Sequence, residues 1–265
     1  MSKDLVAIVV PAHKHQFTDE EIFGLNTSLQ SFKSRDFYFI LPSGLENNFI
    51  NNTSKKKIYF PKNAFKSISS YNNLLKSRAF YNKFKKYKYI LICQPDVIIF
   101  KDALNYWCST NLSYIGPPVF NYFSRSQLNK NNFCAQNGGL SLRNTKDHLK
   151  VLELLKNSSS IKIQPRIKYN GFIGMIKEFF HTRVFNSSKG LFKSLINEDI
   201  FWSNIIPEIF SFYRVASYEQ SKNFALEMHP QNQISSIDEN LLVGAHAWYK
   251  YDKDFWLNYL KKNKL

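Results

Sequence analysis

Three short stretches of this chain hold residue types at a spacing that could do chemistry: Gln94-Pro95-Asp96, Asn137-Gly138-Gly139 and Asn197-Glu198-Asp199. Asp96 lies between two apolar runs in "YILICQPDVIIF" (89–100). A carboxylate in that setting is costly unless it is solvated, paired or holding a cation. One reading is an N-cap for the turn that follows. The other is a ligand for a hard divalent cation, Mn²⁺ or Mg²⁺, which takes oxygen donors and can bridge a diphosphate. Glu198 and Asp199 open an apolar-periodic stretch, where the helix dipole favours negative charge. They are either ordinary first-turn acids or a positioned general base for a hydroxyl. The two glycines remove side chains where backbone must approach something closely, and they also permit positive φ.

Alternating strands and helices must position these groups. "LVAIVV" (5–10) reads as a buried strand, and "TDEEIFGLNTSLQSF" (18–32) follows as a helix with capping-box spacing between Thr18 and Glu21. "FYFILP" (37–42) and "KIYF" (57–60) are strands, and a helix is expected around 70–85, ahead of the stretch that ends at Asp96. "SYIGPPVF" (113–120) runs from strand to loop, with Gly116-Pro117-Pro118 as a rigid exit. "NGGLSLRN" (137–144) leads into another strand, then a helix over 146–156. Residues 157–195 lose periodicity and read as an insertion or lid. A helix starts at "NEDIFWSNIIP" (197–207), and "LLVGAHAWYKYD" (241–252) precedes a closing aromatic helix. This order implies an α/β fold with a mostly parallel central sheet flanked by helices, and such sheets bind ligands beyond the carboxyl ends of their strands.

The 265 residues, 44% of them hydrophobic, suffice for one domain spanning 1–265. No run approaches the roughly 18 apolar residues of a spanning helix, and "MSKDLVAIVVPAH" lacks the layout of a signal peptide, so a cytoplasmic location is expected. Cys93, Cys108 and Cys134 fit neither a disulfide framework nor a CxxC metal site. The net charge of +16 favours an anionic partner: a nucleotide phosphate, an anionic membrane surface or a nucleic acid. Nucleic acid is the least favoured, since no recognition-helix or RNA-binding signature is present. The lysine groups at 54–57, 83–88 and 261–264 are the expected contacts to the inner face of the cytoplasmic membrane.

Taken in order, "YKYILICQPDVIIFKDALNYW", "YIGPPVF", "NGGLSLRN", "NEDIFW" and "GAHAWYKYD" resemble a family of small bacterial GT-A-type glycosyltransferases long catalogued as a domain of unknown function. The resemblance covers roughly 55–256. It implies a GT-A-like, Rossmann-related fold and a nucleotide-sugar donor, favouring a UDP-sugar, with Asp96 beside the diphosphate. The usual Asp-x-Asp of such enzymes is here Gln94-Pro95-Asp96, so one carboxylate is replaced by an amide that can reach a ribose or a metal-bound water. Either another ligand then completes the metal shell or lysines replace the metal; by the same resemblance His246 is that ligand, and an ordinary buried histidine is its other reading. Lys250 would balance the leaving diphosphate, or is one more surface lysine. The resemblance points to Asp199 as the base of an inverting transfer, with Glu198 as its alternative. Asn137, Gly138 and Gly139 would lie against donor or acceptor sugar, and Trp248 would stack on a sugar face. The acceptor is a hydroxyl of a cell-surface glycan, such as a lipopolysaccharide, or of a lipid-linked intermediate. A nucleotidyltransferase of similar fold and a non-catalytic carbohydrate- or nucleic-acid-binding protein are the rival readings.

Overall fold

The computed structural model describes residues 5–120, 133–157 and 196–263. The expected insertion at 157–195 falls almost wholly outside them. The centre is a six-stranded sheet in the order β3 (Lys56–Phe60), β2 (Asp36–Pro42), β1 (Val6–Pro11), β4 (Tyr89–Cys93), β9 (Leu140–Asn144), β6 (Tyr114–Ile115). β1 pairs parallel with both β2 and β4, β2 pairs parallel with β3, and β9 alone runs against its neighbours. The mostly parallel sheet read from the sequence is therefore present. All six residues of β1 and all five of β4 are buried, because both faces of the sheet are covered. Alternation divides them: Val6, Ile8, Val10, Leu91 and Cys93 pack in one core, and Ala7, Val9, Ile90 and Ile92 in the other.

Helix α1 (Asp19–Ser31) carries the expected capping box, with the Thr18 side chain accepting from Glu21 N–H. Gly24 of α1 touches the backbone after β4: a Cβ there would overlap the Val97 carbonyl. The expected helix at 70–85 is two, α3 (Ile68–Leu75) and α4 (Arg78–Asn82), after a short α2 (Asn48–Asn51). Ser77 breaks it, since its side chain caps α4 by accepting from Phe80 N–H, the competition with helix interior that serine typically offers. α5 (Leu104–Ser109) and α6 (Thr145–Asn157) complete this half.

The stretch 89–100 is likewise not one strand. Pro95 has no N–H to donate to a ladder, so β4 stops, and β5 (Val97–Ile99) joins a second sheet in the order β10 (Ala225–Leu226), β11 (Gly244–His246), β5. A third core of Ile98, Phe100, Leu226, Leu242, Trp248, Trp256 and Leu260 packs there. β7 (Pro118–Phe120) pairs with β8 (Phe133–Gln136). The acidic pair opens α7 (Glu198–Ile200), which continues through a π turn at Phe201–Ile205 into α8 (Ile206–Ile209). α9 (Tyr218–Phe224), α10 (Pro230–Gln233) and the kinked α11 (Trp248–Asn263) follow. No described helix is long and apolar enough to cross a membrane, and the three cysteines are free.

Candidate active site

In a sheet ordered 3-2-1-4 the chain leaves β1 toward β2 on one side and meets β4 on the other, so a crevice opens between the carboxyl ends of β1 and β4. A cavity of about 620 Å³ lies there. Its lining includes His13 and Lys14 after β1, Gln94, Pro95 and Asp96 after β4, and Asn137, Gly138 and Gly139 before β9. Glu198, Asp199, His246 and Lys250 also line it, so nine of the ten residues singled out in the sequence meet at one cavity. Trp248 is the exception. It is 1% exposed in the third core, with its ring centroid 5.5 Å from that of Phe23, and is a core residue rather than a sugar platform.

Strand register brings Asp96 and His246 together: β11 pairs antiparallel with β5 so that His246 stands opposite Val97. His246 Nε2 lies 3.5 Å from Asp96 Oδ1 and 3.2 Å from Gln94 Oε1, while its Nδ1 is 3.2 Å from Glu227 Oε1. Ala247 then takes a left-handed turn at φ 49°, a strained choice for a residue with a Cβ, and the chain returns over Asp96. The Trp248 amide donates to the Asp96 carbonyl at 3.4 Å, and Lys250 Nζ donates to Asp96 Oδ2 at 2.6 Å. Burial by itself would raise the Asp96 carboxyl, but the hydrogen bonds and positive charge of His246 and Lys250 outweigh it and hold that group well below the usual carboxylate range. Burial opposes the charged form of His246, yet Glu227 and Asp96 prevail and raise it to about 10.

Beside this cluster the glycines have a specific reason. Neither Gly138 nor Gly139 has positive φ, so conformational freedom is not what they supply. A Cβ on Gly138 would overlap Glu198 Oε1, and one on Gly139 would overlap His246 Nε2 and reach Gln94 Oε1 at 2.8 Å. The close approach expected from the sequence is thus to three protein side chains, Glu198, His246 and Gln94. Asn137 shapes the same turn: its Oδ1 accepts from Gly139 N–H at 2.6 Å, and its Nδ2 is 3.4 Å from Glu227 Oε1. Gly139→Ala is expected to displace His246 and cost about 1–3 kcal/mol, as overpacking of a tight site does. Urea unfolding checks it, and an unchanged midpoint would show that the turn yields freely.

The acidic pair is divided in role. Glu198 is 5% exposed and gripped by Arg143, with Nη2 to Oε1 at 2.9 Å and Nη1 to Oε2 at 2.8 Å. Arg143, fully buried, also donates to the Gly138 carbonyl, Ser141 Oγ and the Tyr81 hydroxyl. Asp199 accepts from the adjacent Ile200 N–H at 2.7 Å, and burial, with the negative charge of Glu198 second, raises it to about 6. Below the pair, Lys76 donates to the Ile196 carbonyl at 2.6 Å, and burial lowers it to about 8.

Arg143, Glu227 and Tyr71 are site residues that sequence reasoning passed over. Glu227 had a readable signal, an acid inside the apolar "FALEM" (224–228), the same sign that drew attention to Asp96. Arg143 had none, because an arginine on a strand is ordinarily exposed. Tyr71 lines the cavity with its hydroxyl buried beside Gln94 and Glu198, and nothing in its sequence neighbourhood marks it.

For a divalent cation, Asp96 Oδ1, His246 Nε2 and Gln94 Oε1 are the oxygen and nitrogen donors that crowd together, while Lys250 occupies Asp96 Oδ2. Among the described residues no group of three or more His, Cys, Asp or Glu could hold a metal ion. Asp96 and Gln94 supply oxygen donors of the kind Mg²⁺ or Mn²⁺ takes, and His246, raised to about 10, becomes a nitrogen donor only on losing its ring proton.

Fold and cavity define a mixed α/β domain with a ligand crevice at the switch point of a mostly parallel sheet. The chain belongs to the family described as "Protein of unknown function (DUF5672)", whose model matches residues 55–246. That agrees with the resemblance drawn from the ordered motifs. No curated protein matches the chain in sequence. Among solved structures it is similar, at 13% identity and a TM-score of 0.37, to a glycosyltransferase involved in glycosylating the major capsid of PBCV-1, covering 91% of this chain and 92% of that one. It is similar at 12% identity and 0.45 to the galactosyltransferase LgtC in complex with donor and acceptor sugar analogs, over 91% and 86% of the two chains. At 10% identity and 0.38 it is similar to 4-diphosphocytidyl-2C-methyl-D-erythritol synthase from Anaerococcus prevotii, over 77% and 99%.

Proposed function

We propose that the protein is a glycosyltransferase that moves a sugar from a nucleoside diphosphate donor, with uridine the favoured base, to a hydroxyl of a glycan or lipid-linked acceptor. The observation that carries this reading is that two chemically distinct sets of groups line one cavity. One set is Lys250 and His246 around Asp96, and the other is a carboxylate raised to about 6, Asp199. The first suits a leaving diphosphate, whose growing negative charge is stabilised by fixed donors. The second suits a base for the acceptor hydroxyl.

In the transfer, the acceptor oxygen bonds to the anomeric carbon as the bond from that carbon to the diphosphate oxygen breaks. The hydroxyl proton passes to Asp199, the electron pair leaves on the diphosphate, and a single displacement inverts the anomeric centre. Arg143 engages both oxygens of Glu198, which leaves Asp199 as the carboxylate of the pair open to the acceptor hydroxyl. Lys250 shares its ammonium between Asp96 and the diphosphate. A bound Mn²⁺ or Mg²⁺ would be held by Asp96, by His246 once its ring has given up the proton that Glu227 and Asp96 favour, and by Gln94 as a neutral third donor, and would supply Lewis-acid stabilisation of the leaving group.

Calorimetry with UDP, with and without Mn²⁺, tests this reading. Lys250→Ala is expected to weaken UDP binding by about tenfold or more, the ~1.5–3 kcal/mol scale of a charged hydrogen bond. Absence of UDP binding at millimolar concentration, in both conditions, would remove the donor site. Release of pyrophosphate in place of a nucleoside diphosphate would make the protein a nucleotidyltransferase.

A further inference from the structure

Two of the three lysine groups that suggested membrane docking are on the wrong side of the sheet for presenting an acceptor. Lys55 to Lys57 lead into and open β3, and Lys83 to Lys88 precede β4, so both groups lie at amino ends of parallel strands. Lys56 and Lys86 are spent on Asp36, at 2.7 and 3.8 Å. The cavity opens at the carboxyl ends, a strand length of about 17 Å away at ~3.3 Å per residue. Of the third group, Lys261 and Lys262 lie near the end of α11, and Lys264 is outside the described residues.

A different surface adjoins the cavity. Between β3 and α3 the chain is almost continuously exposed over 61–69, and Phe65, Lys66, Ser67 and Ile68 of this stretch line the cavity wall. Ile68 is 78% exposed, more than any other exposed large hydrophobic residue described. Lys66 is exposed at the same wall, with no carboxylate partner among the described residues, whereas the cavity's Lys14 and Lys250 are paired with Glu21 and Asp96. No acidic residue occurs between Glu46 and Asp96, so this stretch itself contributes only cationic and apolar side chains to a cavity whose acids, Glu21, Asp96, Glu198 and Asp199, come from other segments. A purely polar glycan would leave Ile68 in water at the mouth of the site, and a purely apolar ligand would leave Lys66 idle.

We propose, building on the transferase reading, that the acceptor is an amphiphile, a lipid phosphate carrying the glycan, whose phosphate is bound by Lys66 and whose apolar chain lies on Phe65 and Ile68. The wall then gives a lipid-linked substrate a place at the site although the lysines before β3 and β4 lie at the opposite ends of their strands. It also places the phosphate at one edge of the cavity and the reacting hydroxyl toward Asp199.

Calorimetry on the full chain with farnesyl phosphate, farnesol and inorganic phosphate, each in saturating UDP, tests the proposal. Farnesyl phosphate is expected to bind at least tenfold more tightly than either fragment. Lys66→Gln should weaken farnesyl phosphate about tenfold and leave farnesol unchanged. Ile68→Ser should weaken farnesyl phosphate and farnesol but not inorganic phosphate. Both side chains are exposed, so neither substitution threatens the fold, and melting temperature verifies that. Farnesyl phosphate binding no better than inorganic phosphate, or equally well in both variants, would overturn the amphiphile reading while leaving UDP binding in place. Loss of UDP binding itself would strike the transferase reading instead, and the farnesyl phosphate arms run without UDP would still decide the lipid-phosphate wall.

Discussion

Asp199→Asn is expected to reduce turnover by about 10²-fold or more, leave UDP affinity unchanged and make the folded protein more stable at neutral pH. The first effect is the loss of general-base catalysis. The second follows because the diphosphate end of the cavity is built from Asp96, His246 and Lys250. The third comes from linkage. Burial raises the Asp199 carboxyl from its ordinary 3.8 to about 6, so between these values the folded chain binds more protons than the unfolded chain. Stability therefore falls as pH rises from 3.8 to about 6, and above that the ionised group costs the fold about 1–3 kcal/mol. An amide at this position removes that cost. The variant's advantage is present at pH 7 and disappears as pH falls toward 4. Wild-type turnover has the complementary profile, falling about tenfold per pH unit below 6 and levelling above it. Urea unfolding at pH 4 and 7, together with a pH-rate profile, checks both halves. Unchanged turnover, or a variant less stable at pH 7, would take Asp199 out of the proposed role.

Parts of this site were legible because local rules and the tertiary structure agree. Asp96 announced itself as a charge between two apolar runs, and Thr18 and Glu21 fixed the start of α1 by mutual capping. The glycine pair was readable as a close approach, but what approached was not, since Glu198 and His246 arrive from 60 and 107 residues further along, counting from Gly138 and Gly139. The break at Ser77 was hidden because a serine inside an otherwise helical pattern signals a cap only weakly. Trp248 misled through its neighbours: next to His246 in sequence, it turns into the third core because Ala247 reverses the chain between them. The division of labour between Glu198 and Asp199 depends on Arg143, whose burial is a property of the assembled sheet and leaves no mark in the local pattern.

Arg143 is accordingly where a substitution should harm the fold most. Its guanidinium is fully buried and holds Glu198 through two contacts, while hydrogen bonds to Ser141, Tyr81 and the Gly138 carbonyl satisfy the rest of its fork. Arg143→Met keeps much of the volume but strands the Glu198 carboxylate, and breaking a buried pair from one side costs about 3–5 kcal/mol. The double variant Arg143→Met with Glu198→Met should recover most of that loss, because the penalty belongs to the uncompensated charge and the pair itself contributes little net stability. Urea unfolding of wild type, both single variants and the double variant closes the cycle. A loss below about 1 kcal/mol for Arg143→Met would mean that water or movement of Glu198 relieves the stranded charge. Function separates from stability in the same set. Arg143 ties the glycine turn to the first turn of α7, so the double variant, though refolded, should still turn over slowly, with Asp199 no longer held against the cavity. Full activity in the double variant would show that Asp199 is placed by the α7 backbone alone.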